Sequence, residues 1–133
     1  MTIKTGIDII EVERIKKAIE DLGYSFLTRI YTEKEIDYCM DSKSMKYQHF
    51  AARFAVKEAV YKAISENITS KDDSIWKSIE VINLESGRPE INVEKLNQNI
   101  CKTADNKIIS IDISISHIKE YAVANAVVVY EKM

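Results

Sequence analysis

The longest helical segment of this chain is apolar on nearly every side, and it constrains the fold more than any other feature. It runs from Tyr47 to about Ser65 and is rich in alanine, a strong helix former. A helix at a protein surface keeps one polar face, so a helix that is apolar all round is predicted to be buried. The other segments must cover it, and a length of 133 residues suits one domain, residues 1–133, with one core.

Alternating side chains predict a first strand from Ile3 to Ile10. This register puts Gly6 and Asp8 on one face and Ile7 and Ile9 on the other. Because glycine has no side chain, Gly6 is expected to leave space beside the Asp8 carboxylate.

Three further strand patterns follow in the second half of the chain. Ile79 to Leu84 and Glu90 to Val93 flank a turn sequence and predict a hairpin. Tyr121 to Tyr130 is predicted to be the last strand, reached through the short link 117–120. Before that link, polar residues alternate strictly with apolar ones, which predicts a strand with one buried face formed by Ile109, Ile111, Ile113 and Ile115.

Two shorter helices have recognisable ends. Apolar residues recur at helical spacing from Glu11 to Leu22, and Gly23 stands where a C-terminal cap is expected. Thr32 and Glu35 have the spacing of a capping box, which predicts a helix through about Met40. The remaining predictions are a loop at Asp41 to Lys46, a polar linker at Ser70 to Ser74 and a short helix at Glu94 to about Ala104. Because helices and strands do not alternate regularly, the class is α+β.

Charge and cysteine content exclude several function classes. The net charge of −2 provides no basic excess for tracking a nucleic-acid backbone, so no nucleic-acid partner is expected. Cys39 and Cys101 have neither zinc-site nor disulfide spacing and are predicted to be free thiols of a reducing compartment. The first ten residues lack the apolar core of a signal peptide, and no segment reaches membrane-spanning length. These features predict a cytoplasmic protein without a membrane partner.

Glu58 and Asp8 are the strongest candidates for chemistry. Glu58 lies within the apolar helix, where an unpaired charge is costly, and a simple explanation is an ion pair with Lys62 one turn later, helped by Lys57 or Arg53. Asp8 alone could be an ordinary residue at a helix start or in a turn at a strand end. If the fold brings the two carboxylates together, they need a cation between them, and Mg²⁺ suits one or two carboxylates combined with substrate phosphates.

Two other groups of residues allow both a simple structural interpretation and a functional one. His117 could be an ordinary turn histidine or a donor to a phosphate, assisted by Ser116, in a chain that has no glycine-rich phosphate loop. The cations of the first helix could form a solvated face or a docking face for an acidic partner. These cations are Arg14, Lys16 and Lys17.

Taken together, these segments resemble the small, bacterial-type 4′-phosphopantetheinyl transferases. The resemblance covers nearly the whole chain in four pieces that occur in the right order. They are Gly6-Ile7-Asp8-Ile9-Ile10-Glu11-Val12-Glu13-Arg14-Ile15, Arg53-Phe54-Ala55-Val56-Lys57-Glu58-Ala59 with Lys62, Gly87-Arg88-Pro89, and Ser114-Ile115-Ser116-His117 with Tyr121-Ala122-Val123-Ala124.

The resemblance implies an antiparallel sheet packed on the long buried helix and shorter helices. It also implies Mg²⁺-dependent transfer of 4′-phosphopantetheine from coenzyme A to a serine of acyl carrier protein, which releases adenosine 3′,5′-bisphosphate and serves fatty acid and lipid biosynthesis. Family members of this size work as homotrimers with the active site between subunits, so a homotrimer is expected. The alternatives are a carboxylate-metal hydrolase of phosphoesters and a non-catalytic binding module.

By the same resemblance, each candidate residue receives a role. Asp8 and Glu58 match the magnesium ligands, and Glu58 or a metal-linked water would take the proton of the carrier serine. Lys57 and Lys62 match positions near the coenzyme phosphates, with Lys62 stabilising charge during displacement. Ser116 and His117 would approach the nucleotide phosphates, while Arg14 and Lys17 would meet the acidic carrier.

This chain departs from the family pattern after Ala63. The family usually has Phe-Gly-Thr-Gly-Ile, whereas this chain has Ile64-Ser65-Glu66-Asn67-Ile68. Losing both glycines changes the backbone conformations available, and Glu66 is expected to add negative charge near the phosphates.

Overall fold

The fold consists of a three-stranded sheet, a separate hairpin and six α-helices within the residues described, 1–68, 74–99 and 106–132, of a computed structural model. The strands are β1 (Thr2–Glu11), β2 (Val81–Asn83), β3 (Pro89–Ile91), β4 (Asn106–His117) and β5 (Tyr121–Lys132). The helices are α1 (Val12–Leu22), α2 (Tyr24–Ile30), α3 (Glu33–Asp41), α4 (Lys46–Ile64), α5 (Ser74–Ser78) and α6 (Val93–Asn99). Short 3₁₀ turns at Lys43–Met45 and Ser65–Asn67 flank α4.

All pairings within the larger sheet are antiparallel, in the order β1-β5-β4. The β2–β3 hairpin forms its own two-stranded sheet. The long helix α4 packs across β1 and β5 and also contacts α1 and α3. The predicted α+β class, with an antiparallel sheet packed on a long buried helix and shorter helices, is therefore confirmed.

Small residues let α4 lie very close to the sheet. Ala55, Ala59 and Ala63 are buried on α4, and Gly6 faces them from β1. A Cβ atom at Gly6 would collide with the carbonyl oxygen of Ala59 and lie 3.1 Å from the backbone nitrogen of Ala63. The expectation that Gly6 leaves space beside Asp8 was wrong, because the backbone of α4 fills that space.

The face of the sheet that points away from α4 is partly apolar and exposed. Ile7 and Ile9 lie on this face and are 62% and 66% exposed. In the sheet register, Ile7 is opposite Asn125 and Ile9 is opposite Val123. The predicted two faces of β1 are confirmed, and the face that carries Gly6 and Asp8 is the one packed on the helix.

The strict alternation predicted for β4 is interrupted by a β-bulge between Ile108 and Ser110. Ile108 is buried, whereas Ile109 is 47% exposed. A bulge inserts one extra residue, so the inward positions shift by one along the strand. The prediction that Ile109 belongs to the buried face was therefore wrong, while Ile111 and Ile113 are buried as predicted.

The predicted helix ends near Gly23 and Thr32 are confirmed. Gly23 ends α1 with a positive φ of 60°, a conformation that favours glycine. The side chain of Thr32 accepts from the Glu35 backbone nitrogen, and Glu35 Oε1 accepts from the Thr32 nitrogen, which completes the capping box. Helix α2 was not predicted, because its short sequence mixes aromatic and β-branched residues that favour helices weakly.

Several other boundaries differ from the sequence prediction. The hairpin strands are shorter than predicted, and the segment Asp41 to Lys46 contains a 3₁₀ turn. The predicted helix from Glu94 begins at Val93 and is described to Asn99, while its predicted end at Ala104 lies outside the described residues. The predicted linker Ser70 to Ser74 also lies outside them, except for Ser74, which begins α5. Among the residues described, no helix is long and apolar enough to cross a membrane.

Candidate active site

Asp8 and Glu58 line one cleft, which we call the carboxylate cleft. Its volume is about 400 Å³. Asp8 comes from the inner face of β1 and Glu58 from α4, next to the close contact between Gly6 and Ala59. Other residues that line the cleft are Arg14, Ile15, Phe26 and Phe54. The fold therefore brings together the two carboxylates that the sequence placed fifty positions apart.

The environment of Glu58 disfavours its charged form. Partial burial raises the pKa of Glu58, the negative charge of Asp8 raises it further, and the positive charge of Lys62 lowers it. Two neighbouring carboxylates repel each other, and a cation bound between them would relieve that repulsion. The electrostatics of the cleft therefore favour a bound cation.

Lys62 pairs with β1 and not with Glu58. Its Nζ donates to the carbonyl oxygen of Ile7 at 2.9 Å and contacts Asp8 Oδ1 at 3.3 Å. Of the ion pairs between residues that the structure describes, none joins Lys62 to Glu58. The simple explanation of Glu58 as one half of a helix-surface ion pair is therefore not supported. The Lys62 side chain is 53% exposed, so its ammonium group can reach an anion in solution.

The donor set of this cleft suits magnesium better than zinc. Within residues 1–68, 74–99 and 106–132, no three side chains of His, Cys, Asp or Glu cluster as metal ligands. Zinc sites use three or four such side chains, whereas Mg²⁺ is held by one or two carboxylates and completes its shell with water and phosphate oxygens. Asp8 and Glu58 fit the second pattern.

The carboxylate cleft also has a cationic rim and an apolar wall. Arg14 of α1 is exposed and lines the cleft beside the carboxylates, a position that sequence reasoning did not assign to it. Lys17 is exposed on the same helix but does not line the cleft. Lys16 lies over the Tyr47 ring, with Nζ 5.6 Å from its centroid. Of the predicted docking cations, Arg14 is thus the one beside the candidate metal site.

Lys57 does not reach the cleft, and its predicted place near the coenzyme phosphates is corrected. Its side chain is fully buried. Its Nζ lies 2.9 Å from Glu35 Oε1 and donates to the carbonyl oxygens of Trp76 and Ile79 at 2.6 and 2.7 Å. These three partners use all three donors of the ammonium group. Lys57 lies about 100° around the helix from Glu58 and points into the core, where its role is structural.

Glu35 completes this buried network from α3. One carboxylate oxygen accepts from the Thr32 nitrogen and pairs with Lys57, and the other accepts from the Val81 nitrogen at 2.9 Å. Burial lowers the pKa of Lys57, while the charge of Glu35 and the hydrogen bond to it raise that pKa. The pair therefore fixes the segment between α5 and β2 against α4.

His117 and Ser116 lie away from the carboxylate cleft. His117 is the last residue of β4, so it is not a turn histidine, and its Nδ1 lies 2.9 Å from Gln48 Oε1. Ser116 is exposed and lines a shallow groove on the outer face of the sheet together with Ile9 and Tyr121. Neither the cavity nor the groove that His117 lines includes Glu58.

His117 lines a second cavity, of about 210 Å³, which we call the imidazole cavity. Its polar lining residues are Tyr38, His49, Arg53, Asn83 and His117. This set has cationic and neutral donors and no carboxylate, so the cavity suits an anion.

Arg53 is the most unusual member of the imidazole cavity. It is 4% exposed, its Nη2 donates to Asn83 Oδ1 at 2.6 Å, and its guanidinium lies 4.0 Å from the Tyr38 ring centroid. Its buried Nε has no hydrogen-bond partner among the residues described. Sequence reasoning treated Arg53 as a possible partner of Glu58. The sequence signal that could have placed Arg53 in this cavity was the Gly87-Arg88-Pro89 turn, because the Gly87 oxygen accepts from Nδ2 of Asn83, the residue that also pairs with Arg53.

The segment that departs from the family pattern forms the 3₁₀ turn Ser65–Asn67. Lys43 is the only non-glycine residue with a positive φ in the part of the chain described, so the turn uses backbone angles open to any residue. Glu66 lies 3.5 Å from Lys4 of β1, which offsets the negative charge that it was expected to add. The missing glycines therefore do not strain this segment.

The chain is similar to transferases of known sequence and structure. The family model described as the 4′-phosphopantetheinyl transferase superfamily matches residues 4–126. A holo-[acyl-carrier-protein] synthase of Ruminiclostridium cellulolyticum is 40% identical over 128 residues, 96% of this chain and 92% of that protein. The synthase of Bacillus anthracis in complex with CoA (3′,5′-ADP) is 36% identical, with a TM-score of 0.69 and 94% of both chains covered. That of Helicobacter pylori in complex with coenzyme A is 30% identical, with a TM-score of 0.73, and the match covers 94% of this chain and 99% of that chain.

The two lysines of the α4 motif should differ strongly in how much they stabilise the fold. Replacing Lys57 by Met leaves the buried Glu35 carboxylate without its cation, which should lower the free energy of unfolding by about 3–5 kcal/mol. Replacing Lys62 by Met removes an exposed contact and should change it by less than about 0.5 kcal/mol. Urea unfolding at one protein concentration, followed by circular dichroism, measures both.

The double variant Lys57→Met with Glu35→Gln is the control for this explanation. It removes both charges and keeps one oxygen, which can accept from either the Thr32 or the Val81 nitrogen, so it should recover part of the lost stability. Equal stability of Lys57→Met and the wild type would contradict the structural role of Lys57.

Proposed function

The chain belongs to the 4′-phosphopantetheinyl transferase superfamily, and we propose that it is a holo-[acyl-carrier-protein] synthase, like relatives that match it over nearly its whole length. It transfers the 4′-phosphopantetheine arm of coenzyme A to a serine of an acyl carrier protein. The observation that carries this proposal is the carboxylate cleft, where Asp8 and Glu58 meet beside an exposed cation, Lys62.

In the proposed reaction, the serine oxygen of the carrier attacks the phosphorus atom that bears the pantetheine arm. A new phosphodiester bond to serine forms, and the bond to the bridging oxygen of the pyrophosphate breaks. The leaving group is adenosine 3′,5′-bisphosphate. The serine proton passes to Glu58, directly or through a water molecule.

Asp8 and Glu58 would hold the magnesium ion on which we propose the transfer depends. When bound, Mg²⁺ neutralises charge on the pyrophosphate. Lys62, anchored by the carbonyl oxygen of Ile7, places its ammonium beside Asp8, where it stabilises negative charge on the leaving phosphate.

We propose that the imidazole cavity receives the nucleotide phosphates of coenzyme A. Arg53 and His117 supply donors there, and Ser116 lies on the adjoining groove. Lys57 is not part of this site, because its three donors are already used within the core.

A homotrimer with shared active sites would explain why the two phosphate-binding regions are separate within one chain. The carboxylate cleft and the imidazole cavity share no lining residue. The exposed apolar side chains of the outer sheet face, Ile7 and Ile9, offer a surface for a second copy. Packing of one copy against the next would place the His117 of one subunit near the Asp8 of another.

We also propose that the enzyme works in the cytoplasm. Cys39 is a free, buried thiol, and burial raises its pKa to about 12, so it stays protonated and unreactive. Free thiols are typical of reducing compartments. Cys101 lies outside the described residues.

Mass spectrometry of an apo acyl carrier protein tests the proposed reaction. Incubation with the enzyme, coenzyme A and Mg²⁺ should add the mass of one phosphopantetheine arm to the carrier. Asp8→Asn and Glu58→Gln should each slow this transfer about a hundredfold or more, because a metal ligand or proton acceptor is lost. Without carrier, coenzyme A should remain intact, and its hydrolysis would favour the phosphoester hydrolase instead.

Thermal unfolding of Glu58→Gln provides the control for folding. Ionising a carboxyl group whose pKa is raised in the folded state destabilises that state above its pKa, so removing the charge should not lower the melting temperature at neutral pH. An active Glu58→Gln variant at saturating Mg²⁺ would contradict the metal assignment.

Arg14 should contribute to recognition of the acidic carrier. Arg14→Glu places a negative charge on the rim of the carboxylate cleft, so the KM for carrier should rise roughly three- to tenfold while the KM for coenzyme A changes little. Added salt should weaken carrier binding by the wild type more than by the variant. Lys107→Glu, the same charge change at the far end of β4, is the matched control; equal effects of both variants would mean that only net charge matters.

The proposed trimer should depend on the outer sheet face. Light scattering of the wild type should give three times the chain mass, and Ile7→Glu should shift the protein to monomers with weaker coenzyme binding, because it places a charge in an apolar contact. Leu22 is similarly exposed, at 56%, but lies on α1, so Leu22→Glu should remain assembled. A fully active monomeric wild type would refute the shared-site proposal.

A further inference from the structure

The imidazole cavity contains a second histidine that the sequence did not single out. The ring of His49 stacks on Tyr38 at 5.7 Å and meets the edge of His117 at 5.6 Å. Together with Arg53, these side chains place two imidazole rings, one phenol ring and one permanent cation around a cavity of about 210 Å³. The unpartnered Nε of Arg53 indicates that the cavity is built for an anion that is not part of the chain.

A hydrogen-bond relay favours one tautomer of neutral His49. The Ser42 hydroxyl can only donate to the carbonyl oxygen of Tyr38, at 3.1 Å, and its oxygen lies 2.6 Å from His49 Nδ1. When the hydroxyl donates to Tyr38, its oxygen accepts from Nδ1, so the hydrogen of the neutral ring lies on Nδ1 and Nε2 has only a lone pair. Within the part of the chain described, Nε2 has no hydrogen-bond partner.

A bare Nε2 repels a phosphate oxygen, whereas a protonated one donates to it. We propose that His49 is a proton-coupled ligand of the nucleotide phosphate, binding it through Nε2 as imidazolium and returning the proton to solvent when the nucleotide leaves. The proposal rests on the proposed function, since it assigns the coenzyme nucleotide to this cavity. The proton comes from the solvent, and no covalent bond changes apart from Nε2–H.

The surroundings of His49 agree with this coupling. The ionisable groups that face it are the Tyr38 phenol from α3, the Arg53 guanidinium from α4 and the His117 imidazole from β4. Burial lowers the pKa of His49, and the charges of Arg53 and His117 lower it further, so the empty cavity favours the neutral ring. A phosphate group would reverse the sign of the local field and raise that pKa.

The linkage has a definite sign. His49 takes up a proton on binding between its lower pKa in the free enzyme and its higher pKa in the complex. In that interval the affinity rises as the pH falls, by up to about tenfold for each pH unit. Above the pKa of the complex the contribution is lost.

Calorimetric titration of the assembled enzyme with adenosine 3′,5′-bisphosphate tests the proposal. Titrations from about pH 6 to about pH 8.5, in two buffers of different ionisation enthalpy, count the protons taken up. The wild type should take up protons and bind more tightly as the pH falls. His49→Phe keeps the ring contacts and removes the titration, so it should bind about three- to tenfold more weakly near pH 6.5 and almost equally well near pH 8.5.

Ser42→Ala gives a readout that a purely structural role of His49 would not move. Without the serine oxygen, the neutral ring can carry its hydrogen on Nε2 and donate without a proton from solvent. In this variant, the number of protons taken up on binding should decrease, whereas the affinity for the bisphosphate near pH 8.5 should be retained. If His49→Phe does not fold, proton NMR of the wild type replaces it. The chain has two histidines, and the imidazole pKa of one of them, His49, should rise when the bisphosphate binds.

Two results would overturn the proposal. One is the absence of proton uptake by the wild type, and the other is full uptake by His49→Phe, which would assign the proton to His117 alone. Transfer to the carrier by the wild type distinguishes this failure from a failure of the proposed function, which predicts the mass gain whatever His49 does.

Discussion

The close contact between β1 and α4 at Gly6 and Ala59 determines the geometry of the candidate site. Asp8 lies two residues after Gly6 on the same face of the strand, and Glu58 directly precedes Ala59 on the helix. Any Cβ atom at Gly6 would push the helix away from the strand and would separate the two carboxylates. The position of a candidate metal site thus follows from the absence of one side chain, supported by the alanines that let the helix approach the sheet.

The two lysines that flank Glu58 on α4 show how a helix divides similar residues between different roles. Lys57 is one position away from Glu58, about 100° around the helix, and lies inside the core. Lys62 is one turn further on, on the side of Glu58, and reaches Asp8 from solvent. Both are cations in the same sequence motif, yet one holds α3, α5 and β2 together and the other remains available for substrate.

The separation of the carboxylate cleft from the imidazole cavity gives a physical reason for the proposed homotrimer. A pyrophosphate with a nucleotide on one end needs a metal site for the reacting bond and a distant anion site for the nucleotide. One chain offers a candidate for each, but in clefts that have no lining residue in common. The exposed isoleucines of β1 lie on the outer face of the sheet, where contact with another copy would bury them.

Local pattern determined most elements of this protein, and the sequence alone was sufficient for the α+β class, the buried α4, the capping box at Thr32 and the family. Short-range periodicity and cap chemistry depend only on neighbours along the chain, which is why these predictions succeeded. Family motifs similarly identified Asp8 and Glu58 as a pair. The tertiary structure decided what depends on distant contacts: the burial of Lys57, the bulge that exposes Ile109, the purpose of Gly6 and the meeting of His49 with Arg53 and His117. Each of these results from the packing of one element against another, and spacing along a sequence carries no measure of that distance.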